Sequence, residues 1–518
     1  MSLIENRLSQ FGASRLAGMR RGVEKESLRA LPSGALALTP HPSALGAPLT
    51  HPHITTDYSE SQLELITGVH ASAEGCLAEL TEVHQFVYRT LADPAQGSGD
   101  ERLWVGSMPC GLPTDETIPL GRYGASNIGR AKSVYRMGLG HRYGRRMQTI
   151  SGIHYNWSLP GLGNEEHFAL IRNFRRHSFL LLLLFGASPA LCSSFVAGRE
   201  HGLLPVAQDE GGQTLHMPHG TSLRMGRLGY QSDAQATLAV SYNSLESYAA
   251  SLHGALTKPY PAYEAIGIRN LGGEYNQMAT SLLQIENEFY GTIRPKRVIR
   301  TGERPLHALR QRGVEYVEVR CMDLDPFEPV GIGAGTMRFL DVFLLHCLLA
   351  ESAPDTPEEI AALGRNQQRA AATGRAPGLK LERGAREVSL VDWAAEILAQ
   401  CVPIAAALDA VQGGGSRSYR DALSAASQAL AAPATLPSAR VLATMAQDFG
   451  GSYTAFVRAM SEQTRASLSA LPWSPAQQAA QQAAATQSVT ERHAIEAADT
   501  LDFETWRQAY LDPARLVV

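Results

Sequence analysis

The chain has 518 residues, 44% of them hydrophobic and 19% charged, which suffices for one large core or for two to three domains. Its formal charge of −4 gives no electrostatic attraction toward nucleic acid or an anionic membrane. The six cysteines are widely scattered, which is typical of a reduced, cytoplasmic protein rather than a disulfide scaffold.

Two further patterns bear on location. The N-terminal residues lack the basic start and apolar core of a signal peptide. The most apolar run, 179–185, is far shorter than the roughly 20 residues that span a bilayer, so it predicts a buried core element. We therefore expect a cytoplasmic protein that does not cross a membrane.

Hydrophobic periodicity and turn residues predict the elements in chain order. The predicted helices are 1–20, 72–92, 131–146, 164–185 and 242–257, followed by helical, Ala-rich sequence from about residue 336. The predicted strands are two within 21–38, one around His154, and two more at 281–289 and 314–321. Residues 198–215 form a polar insertion without a predicted element.

This order lacks regular βαβ alternation and predicts an α+β fold. We expect a largely antiparallel sheet that carries acidic residues, with helices outside it. Residues 1–335 are predicted to form the catalytic sheet-and-helix region. Residues 336–518 are predicted to form a mainly helical region packed on it, in one structural unit.

Acidic residues recur in the predicted elements. Glu24 and Glu26 are two apart in a strand and therefore project from one face. The segment 54–65 carries Asp57, Glu60 and Glu64, which a helix would place along one side and a strand would split between two faces. Taken singly, each acid is more often a solvated surface residue than a ligand.

The strand predicted at 314–321 places Glu318 and Arg320 on one face and Glu315 on the other. A cluster of carboxylates with one imidazole, from His154, suits Mg²⁺ or Mn²⁺. The sequence has neither H-E-x-x-H nor paired C-x-x-C, so zinc has little support. It also has no Walker A motif, kinase Gly-rich loop or GxGxxG, so phosphate binding by such a loop is not expected.

The chain contains a series of long sequence motifs in one order, and through them it resembles the proteobacterial type of glutamate–cysteine ligase, the first enzyme of glutathione synthesis. The resemblance runs from about Arg21 to Val330 and continues more weakly beyond. The motifs include RGVEKESLR, HPSALGAPLTH, ITTDYSE, SMPCGLP, YGASNIGR, YRMGLGHRYG, MQTISGIHYNWSLP, LFGASPALCSSF, TSLRMGRLGY, QIENEFYGTIRPKR and GVEYVEVRCMDLDPF. Several such strings together are far more specific than a single short motif.

The resemblance implies a sheet curved into a funnel, similar to that of glutamine synthetase. It also implies ATP-dependent joining of the L-glutamate γ-carboxyl to the L-cysteine amine through a γ-glutamyl phosphate. The implied cofactors are Mg²⁺, in two or three ions with Mn²⁺ as an alternative, and ATP as co-substrate.

The resemblance also implies site residues. Arg320 and Glu318 are the implied catalytic residues. The implied metal ligands are Glu24, Glu26, Asp57, Glu64, His154 and Glu318. The implied substrate-binding residues are Tyr58, Tyr135, Arg136, Leu139, Gln148, Arg224, Tyr230 and Tyr290. The implied nucleotide-binding residues are Asn156, Lys132, Arg294 and Arg320, where Arg294 belongs to a predicted cationic turn with Lys296 and Arg297.

Two other activities are compatible with the same acids. A sister ligase would join glutamate to another amine, and a small-molecule kinase would stop at the acyl phosphate. The resemblance further implies glutathione as a feedback inhibitor. We also expect a monomer and, from the nearly balanced charge, no nucleic-acid or membrane partner.

Overall fold

The structure is a computed structural model that describes residues 3–96, 99–209, 212–229, 233–236, 238–300 and 302–516. Its helices are α1 Leu3–Ser9, α2 Gly12–Ala17, α3 Ala73–Leu91, α4 Asn127–Tyr143, α5 Asn164–His177, α6 Phe179–Phe185, α7 Asp233–Ala236, α8 Leu245–Thr257, α9 Pro261–Ile266, α10 Pro305–Arg312, α11 Ala334–Leu349, α12 Pro357–Thr373, α13 Leu390–Gln412, α14 Ser418–Ala431, α15 Pro437–Asp448, α16 Tyr453–Ala470, α17 Pro475–Ala498 and α18 Phe503–Leu511. Its strands are β1 Arg20–Ala30, β2 Ile54–Thr56, β3 Gln62–Ile66, β4 Arg102–Leu103, β5 Gly152–Ser158, β6 Ala190–Cys192, β7 Leu204–Asp209, β8 Gly212–His216, β9 Ile293–Lys296, β10 Tyr316–Asp323, β11 Lys380–Arg383 and β12 Arg386–Ser389.

A seven-stranded antiparallel sheet organises the fold, in the order β2-β3-β1-β5-β10-β9 with β4 beside β1. Val23, Tyr155 and Val319 lie opposite one another on three adjacent strands, and all three are fully buried. Such β-branched and aromatic neighbours stabilise a sheet face. Because side chains alternate along a strand, the residues between them face the other side. The sheet therefore has one apolar face and one polar face.

Helices cover the apolar face. Helices α3, α5 and α6 contact β1, β9 and β10, and α11 packs against α3 and α5. Helix α11 is buried on nearly all sides, which is why its sequence is apolar around its whole circumference. The polar face is left to form the site.

A buried ion pair joins the sheet to α11 and α14. The Arg21 guanidinium on β1 lies 3.0 Å from an Asp341 carboxylate oxygen, and both side chains are almost fully buried. The hydroxyls of Tyr155 and Tyr419 also donate to Asp341, at 2.8 and 3.2 Å. The Asp341 carboxylate on α11 thus connects this helix with β1, β5 and α14.

Asp341→Asn should destabilise the protein, because it leaves the Arg21 charge buried without a counter-ion. Breaking a buried pair in this way costs about 3–5 kcal/mol. Urea denaturation measures the change, and Asp421→Asn on the exposed side of α14 is the control. Equal unfolding midpoints for the two variants would show that the pair contributes nothing.

Three segments differ from the predicted elements or decide between two alternatives. Residues 54–66, for which the sequence allows a helix or a strand, form the hairpin β2–β3, because Ile54 to Thr56 and Leu63 to Ile66 favour strand. Strand β2 pairs with β3, and β3 pairs with β1. Residues 281–289 contain a bridge and a short 3₁₀ turn instead of a strand. The predicted cationic turn at 294–297 begins within edge strand β9, where Pro295 is tolerated because the strand has a free side.

Two other segments differ in detail. The returning strand predicted at 35–38 is reduced to one bridge between Ala30 and Leu36. The polar insertion contains the antiparallel pair β7–β8, joined to β6. The α+β fold with a helical C-terminal region is confirmed, and the buried α6 confirms the core position of 179–185. The division at residue 335 stays a prediction.

Among the described residues, one helix is both long enough and apolar enough to cross a membrane. This helix is α13, with a mean hydropathy of 1.6. Core helices of soluble proteins pass the same test. The side of α13 that bears Trp393, Ile397 and Ile404 is buried against neighbouring helices, including α2, α11 and α14. We take α13 as weak evidence for a membrane span.

Candidate active site

The strand registers bring the acids onto the polar face of the sheet. Glu26 lies opposite Glu64 on β3, and Glu24 lies opposite His154 on β5. Directly opposed residues of antiparallel strands point to the same side. The sequence-based prediction that Glu24 and Glu26 share a face is confirmed.

These side chains form a row that runs across the strands on the polar face, and the row continues toward the sheet edge. Asn156 of β5 lies opposite Glu318 of β10, which in turn lies opposite Arg294 of β9. Four strand spacings of about 4.8 Å separate β3 from β9, so the row covers roughly 19 Å.

His154 lies at the centre of the row. Its Nδ1 is 3.2 Å from Glu24 and 3.9 Å from Glu318, and its Nε2 is 3.6 Å from Glu26. The Asn156 amide donates to Glu24 at 2.9 Å, and the Gly152 backbone N–H donates to Glu26 at 2.6 Å. These contacts fix the orientation of the carboxylates before any ligand binds.

The acids differ in electrostatic state. Burial, then the neighbouring charge of Asp57, raises the pKa of Glu26 to about 8. Burial, then the charges of Glu24 and Asp57, raises the pKa of Glu64 well above its ordinary value. Crowded carboxylates of this kind are stabilised by a bound cation.

Glu318 has the opposite character. Burial disfavours its charge, but Lys296 at 3.2 Å, Arg320 at 3.1 Å and Arg294 at 3.7 Å outweigh that cost and hold the pKa of Glu318 well below its ordinary value. Burial also disfavours ionised Glu24, yet the hydrogen bond with His154 leads to a lowered pKa. The row therefore runs from an acidic end at β3 to a cationic end at β9.

Lys296 was not among the predicted site residues. The sequence predicts that Lys296 belongs to a turn, whereas β9 extends through it and places it on the same face as Arg294. The two-residue spacing in Ile293-Arg294-Pro295-Lys296 was the available signal. Arg297, the next residue, points away and its guanidinium lies near Glu315.

Arg224 reaches the row from the loop after β8. It is 1% exposed, its Nη2 donates to the Arg320 carbonyl at 3.0 Å, and its charge acts on Glu26. A Cβ at Gly152 would lie 2.0 Å from that Nη2. Gly152 is therefore the position at which the strand leaves room for the guanidinium.

Helix α4 covers the acidic end. Lys132, Tyr135, Arg136 and Leu139 follow the i, i+3, i+4, i+7 spacing of one helix face. The Arg136 guanidinium donates to the Asp57 carbonyl, and Lys132 is close enough for Glu64 and Asp57 to act on its charge. Lys132 therefore lies at the acidic end, apart from Arg294 and Arg320.

Aromatic residues lie beside this helix. Tyr58 is 2% exposed, and a Cβ at Gly140 of α4 would come within 2.7 Å of its hydroxyl. Burial raises the pKa of the Tyr135 hydroxyl, and the charges of Asp57 and Arg294 also act on it. Gln148 donates to the Tyr290 hydroxyl at 2.8 Å, joining two more of the predicted residues. Tyr230 lies outside the described residues.

Glu60 has a structural role. Its two carboxylate oxygens accept from the backbone N–H groups of His41 and Arg122, at 3.0 and 2.8 Å. Asp57, which follows β2, acts on both Glu26 and Glu64. The hairpin thus separates Glu60 from the other acids, which a helix would have kept together.

The donor set fits a hard divalent cation. One donor atom each from Glu24, His154 and Glu318 lie within 4.8 Å of one another. Oxygen-rich ligation suits Mg²⁺ and Mn²⁺. Among the described residues, the Asn156 Oδ1 on the same face is buried without a hydrogen-bond partner, as expected beside a binding site.

Two cavities adjoin the row. A pocket of about 290 Å³ lies at the β9 edge. Part of its lining is apolar and includes Leu252, Ile299, Leu306 and Leu309; the polar and charged lining residues are Glu286, Asn287, Arg294, Lys296 and Arg297. A larger cleft of about 1290 Å³ extends from Arg224, Arg320 and Tyr290 to α12.

The fold is shared with solved ligase structures. A glutamate–cysteine ligase from Francisella tularensis in complex with AMP superposes with a TM-score of 0.89 and 34% identity, over 96% of this chain and 98% of that one. A bifunctional glutathione synthetase from Pasteurella multocida gives 0.68 with 23% identity, over 97% of this chain and 60% of that one, and supports the fold alone. The fold and the site thus define the protein as a ligase of the class in which carboxylates line one face of an antiparallel sheet.

Sequence comparison identifies the family within this class. The family model for glutamate-cysteine ligase matches residues 6–370. Glutamate–cysteine ligases from Hahella chejuensis and Azotobacter vinelandii are each 45% identical, covering 96% and 98% of both chains respectively. The chain belongs to the glutamate–cysteine ligase family.

Proposed function

We propose that the protein joins the γ-carboxyl of L-glutamate to the α-amine of L-cysteine at the expense of ATP, the first step of glutathione synthesis. The observation that carries this proposal is the single row of acids and cations across five strands, from Glu64 to Arg294. Family membership supports the same reaction.

The acidic row is the proposed metal site. Glu24, His154 and Glu318 form the tightest group, and Glu26, Glu64 and Asp57 extend it toward β3. Six such side chains exceed the needs of one Mg²⁺, so two or three ions are proposed, with Mn²⁺ as a substitute. When bound, the ions neutralise phosphate charge and orient the reacting groups.

The nucleotide is proposed to bind at the cationic end. The apolar side chains of the pocket at the β9 edge suit the adenine ring, and Lys296 and Arg294, which also line that pocket, lead to Glu318 and Arg320. Asn156 lies on the same face between Glu24 and Glu318. A role for Lys132 in nucleotide binding stays a prediction, since it lies at the other end of the row.

The amino-acid substrates are proposed to bind next to the acids. Arg224, buried beside Glu26 and Arg320, suits the glutamate carboxylate because a guanidinium can bind a carboxylate through two hydrogen bonds. The proposed cysteine pocket combines the aromatic rings near α4 with the Gln148–Tyr290 hydrogen bond. Its members are Tyr58, Tyr135, Arg136, Leu139, Gln148, Tyr230 and Tyr290.

The proposed chemistry follows from this placement. A glutamate γ-carboxylate oxygen attacks the terminal phosphorus of ATP and ADP leaves, which gives an acyl phosphate. The cysteine amine then attacks the acyl carbon, phosphate leaves, and the amine loses a proton. Arg320 stabilises charge on the transferring phosphoryl group, and Glu318 holds Arg320 in position.

The direct test is a reaction with Mg²⁺, ATP and glutamate in which candidate amines are added one at a time. We expect rapid formation of γ-glutamylcysteine with cysteine and much slower turnover with other amines. Preferential use of another amine would make the protein a sister ligase. Release of an acyl phosphate without any amine incorporated would make it a kinase.

Feedback inhibition by glutathione, a monomeric state and a cytoplasmic location complete the proposal. Glutathione contains the γ-glutamylcysteine unit and would compete with glutamate for the proposed glutamate site. Inhibition that is relieved by excess glutamate would support this.

Tyr290→Ala should raise the KM for cysteine far more than the KM for ATP, because it removes both a ring of the proposed pocket and the acceptor of the Gln148 hydrogen bond. Tyr290→Phe retains the ring and should have the smaller effect. Steady-state kinetics with each substrate varied in turn measures the difference. Equal increases for cysteine and ATP would point to a general packing role.

A further inference from the structure

A second group of side chains that can ligate a metal ion lies among the helices on the apolar side of the sheet, away from the row of acids. His177 ends α5, and His346 and Cys347 are neighbours on α11. One ring nitrogen of each histidine and the Cys347 Sγ all lie within 4.8 Å of one another. His346 and Cys347 are fully buried, whereas His177 is partly exposed.

The hydrogen bonds leave His346 prepared as a ligand. Its Nε2 lies 2.8 Å from the Gln400 Oε1. Because an amide oxygen only accepts, Nε2 carries the ring proton and Nδ1 keeps its lone pair. Among the described residues, Nδ1 of His346 and Nδ1 of His177 are both buried without a hydrogen-bond partner.

This arrangement has the form of a ligating histidine. Metal-bound histidines usually donate their other N–H to an oxygen acceptor, which fixes the tautomer. Buried polar atoms are rarely left without a partner unless something else binds them. Gln400 supplies the acceptor for His346, and the two unpaired Nδ1 atoms are left for an ion.

The surroundings tolerate a cation and hold the helices in place. The two guanidiniums whose charges act on His177 are each paired with a carboxylate, Arg176 with Glu359 at 2.7 Å and Arg383 with Glu396 at 2.6 Å. The Asn173 amide of α5 donates to the Cys347 carbonyl at 2.9 Å and fixes α5 against α11.

We propose that His177, His346 and Cys347 form a binding site for Zn²⁺ or a chemically similar ion, separate from the Mg²⁺-type site. Two imidazoles and one thiolate are borderline-to-soft donors that favour zinc over magnesium. Binding forms a metal–sulfur bond, and the Cys347 thiol proton is released to solvent. The ion links α5 to α11 and stabilises the helices that support the sheet. No short sequence motif predicts the site, because its ligands come from distant parts of the chain.

Cobalt(II) distinguishes this site from the row of acids. We expect metal-free enzyme titrated with CoCl₂ to develop a near-ultraviolet thiolate-to-cobalt absorption band that saturates at one equivalent and disappears when ZnCl₂ is added. The acidic row offers oxygen and nitrogen donors and should give no such band. Glu318→Gln should therefore leave the band unchanged.

The band should be lost in Cys347→Ser and retained in Cys76→Ser, which alters another buried cysteine outside the group. His177→Gln changes a partly exposed residue that is easier to accommodate, and should weaken cobalt binding by about 10-fold or more. Zinc should also raise the melting temperature of the wild type but not of His177→Gln. A band that persists in Cys347→Ser, or a wild type without any band, would overturn the proposal.

Discussion

Glu318→Gln should lower kcat by more than about 100-fold while the protein remains folded, since loss of one well-placed electrostatic contact in an active site already costs about that much. The substitution keeps the shape of the side chain and removes its charge. In the structure the Glu318 carboxylate forms ion pairs with Lys296, Arg320 and Arg294. The His154 ring lies 3.9 Å from the same carboxylate. Glutamine would leave three cations without their common counter-ion.

The matched control is Glu315→Gln. Glu315 immediately precedes β10, is exposed, and approaches Arg297 outside the row of acids. We expect near-normal turnover from this variant. Circular dichroism and thermal melting establish that both variants fold. An unchanged rate for Glu318→Gln at saturating Mg²⁺ would assign Glu318 a purely structural role.

The second large effect is expected from Gly152→Ala, a change of one methyl group. The added Cβ would lie 2.0 Å from Arg224 Nη2 and 2.3 Å from its guanidinium carbon, which forces Arg224 to move. If Arg224 binds the glutamate carboxylate, displacement by about 1 Å costs on the order of 100-fold in activity. The loss should appear mainly as a higher KM for glutamate.

Gly254→Ala is the control for this effect, because a Cβ at Gly254 meets no atom within 4 Å and the residue lies inside α8. Alanine there should be neutral or slightly stabilising. Arg224→Ala should reproduce the kinetic defect of Gly152→Ala even if the latter folds poorly. A normal KM for glutamate in Arg224→Ala would remove the guanidinium from the proposed binding site.

Much of the acidic row was predictable because strands encode it locally. The two-residue spacings of Glu24 with Glu26 and of Glu318 with Arg320 are enough to predict a shared face. Resemblance to a known family then supplied the other members. Local spacing cannot show that β10 lies between β5 and β9, so the row that joins these pairs becomes visible only in the fold.

The wrong predictions have physical causes. The i, i+3, i+7 spacing of Asp57, Glu60 and Glu64 is compatible with a helix, but the residues on both sides favour strand. They form β2 and β3, which pair with each other, and β3 also pairs with β1. The presence of Pro295 predicts a turn at Arg294 and Lys296, but an edge strand accommodates a proline. In both cases tertiary pairing outweighed the local signal.

The nucleotide product of the reaction tests the central claim most directly. In one reaction with Mg²⁺, ATP, glutamate and cysteine, the amounts of ADP, AMP, phosphate, pyrophosphate and dipeptide are measured together. Cations clustered on Glu318 at the end of the row should favour transfer of the terminal phosphoryl group. We therefore expect ADP, phosphate and γ-glutamylcysteine in equal amounts. AMP and pyrophosphate as the main nucleotide products would contradict the acyl-phosphate mechanism.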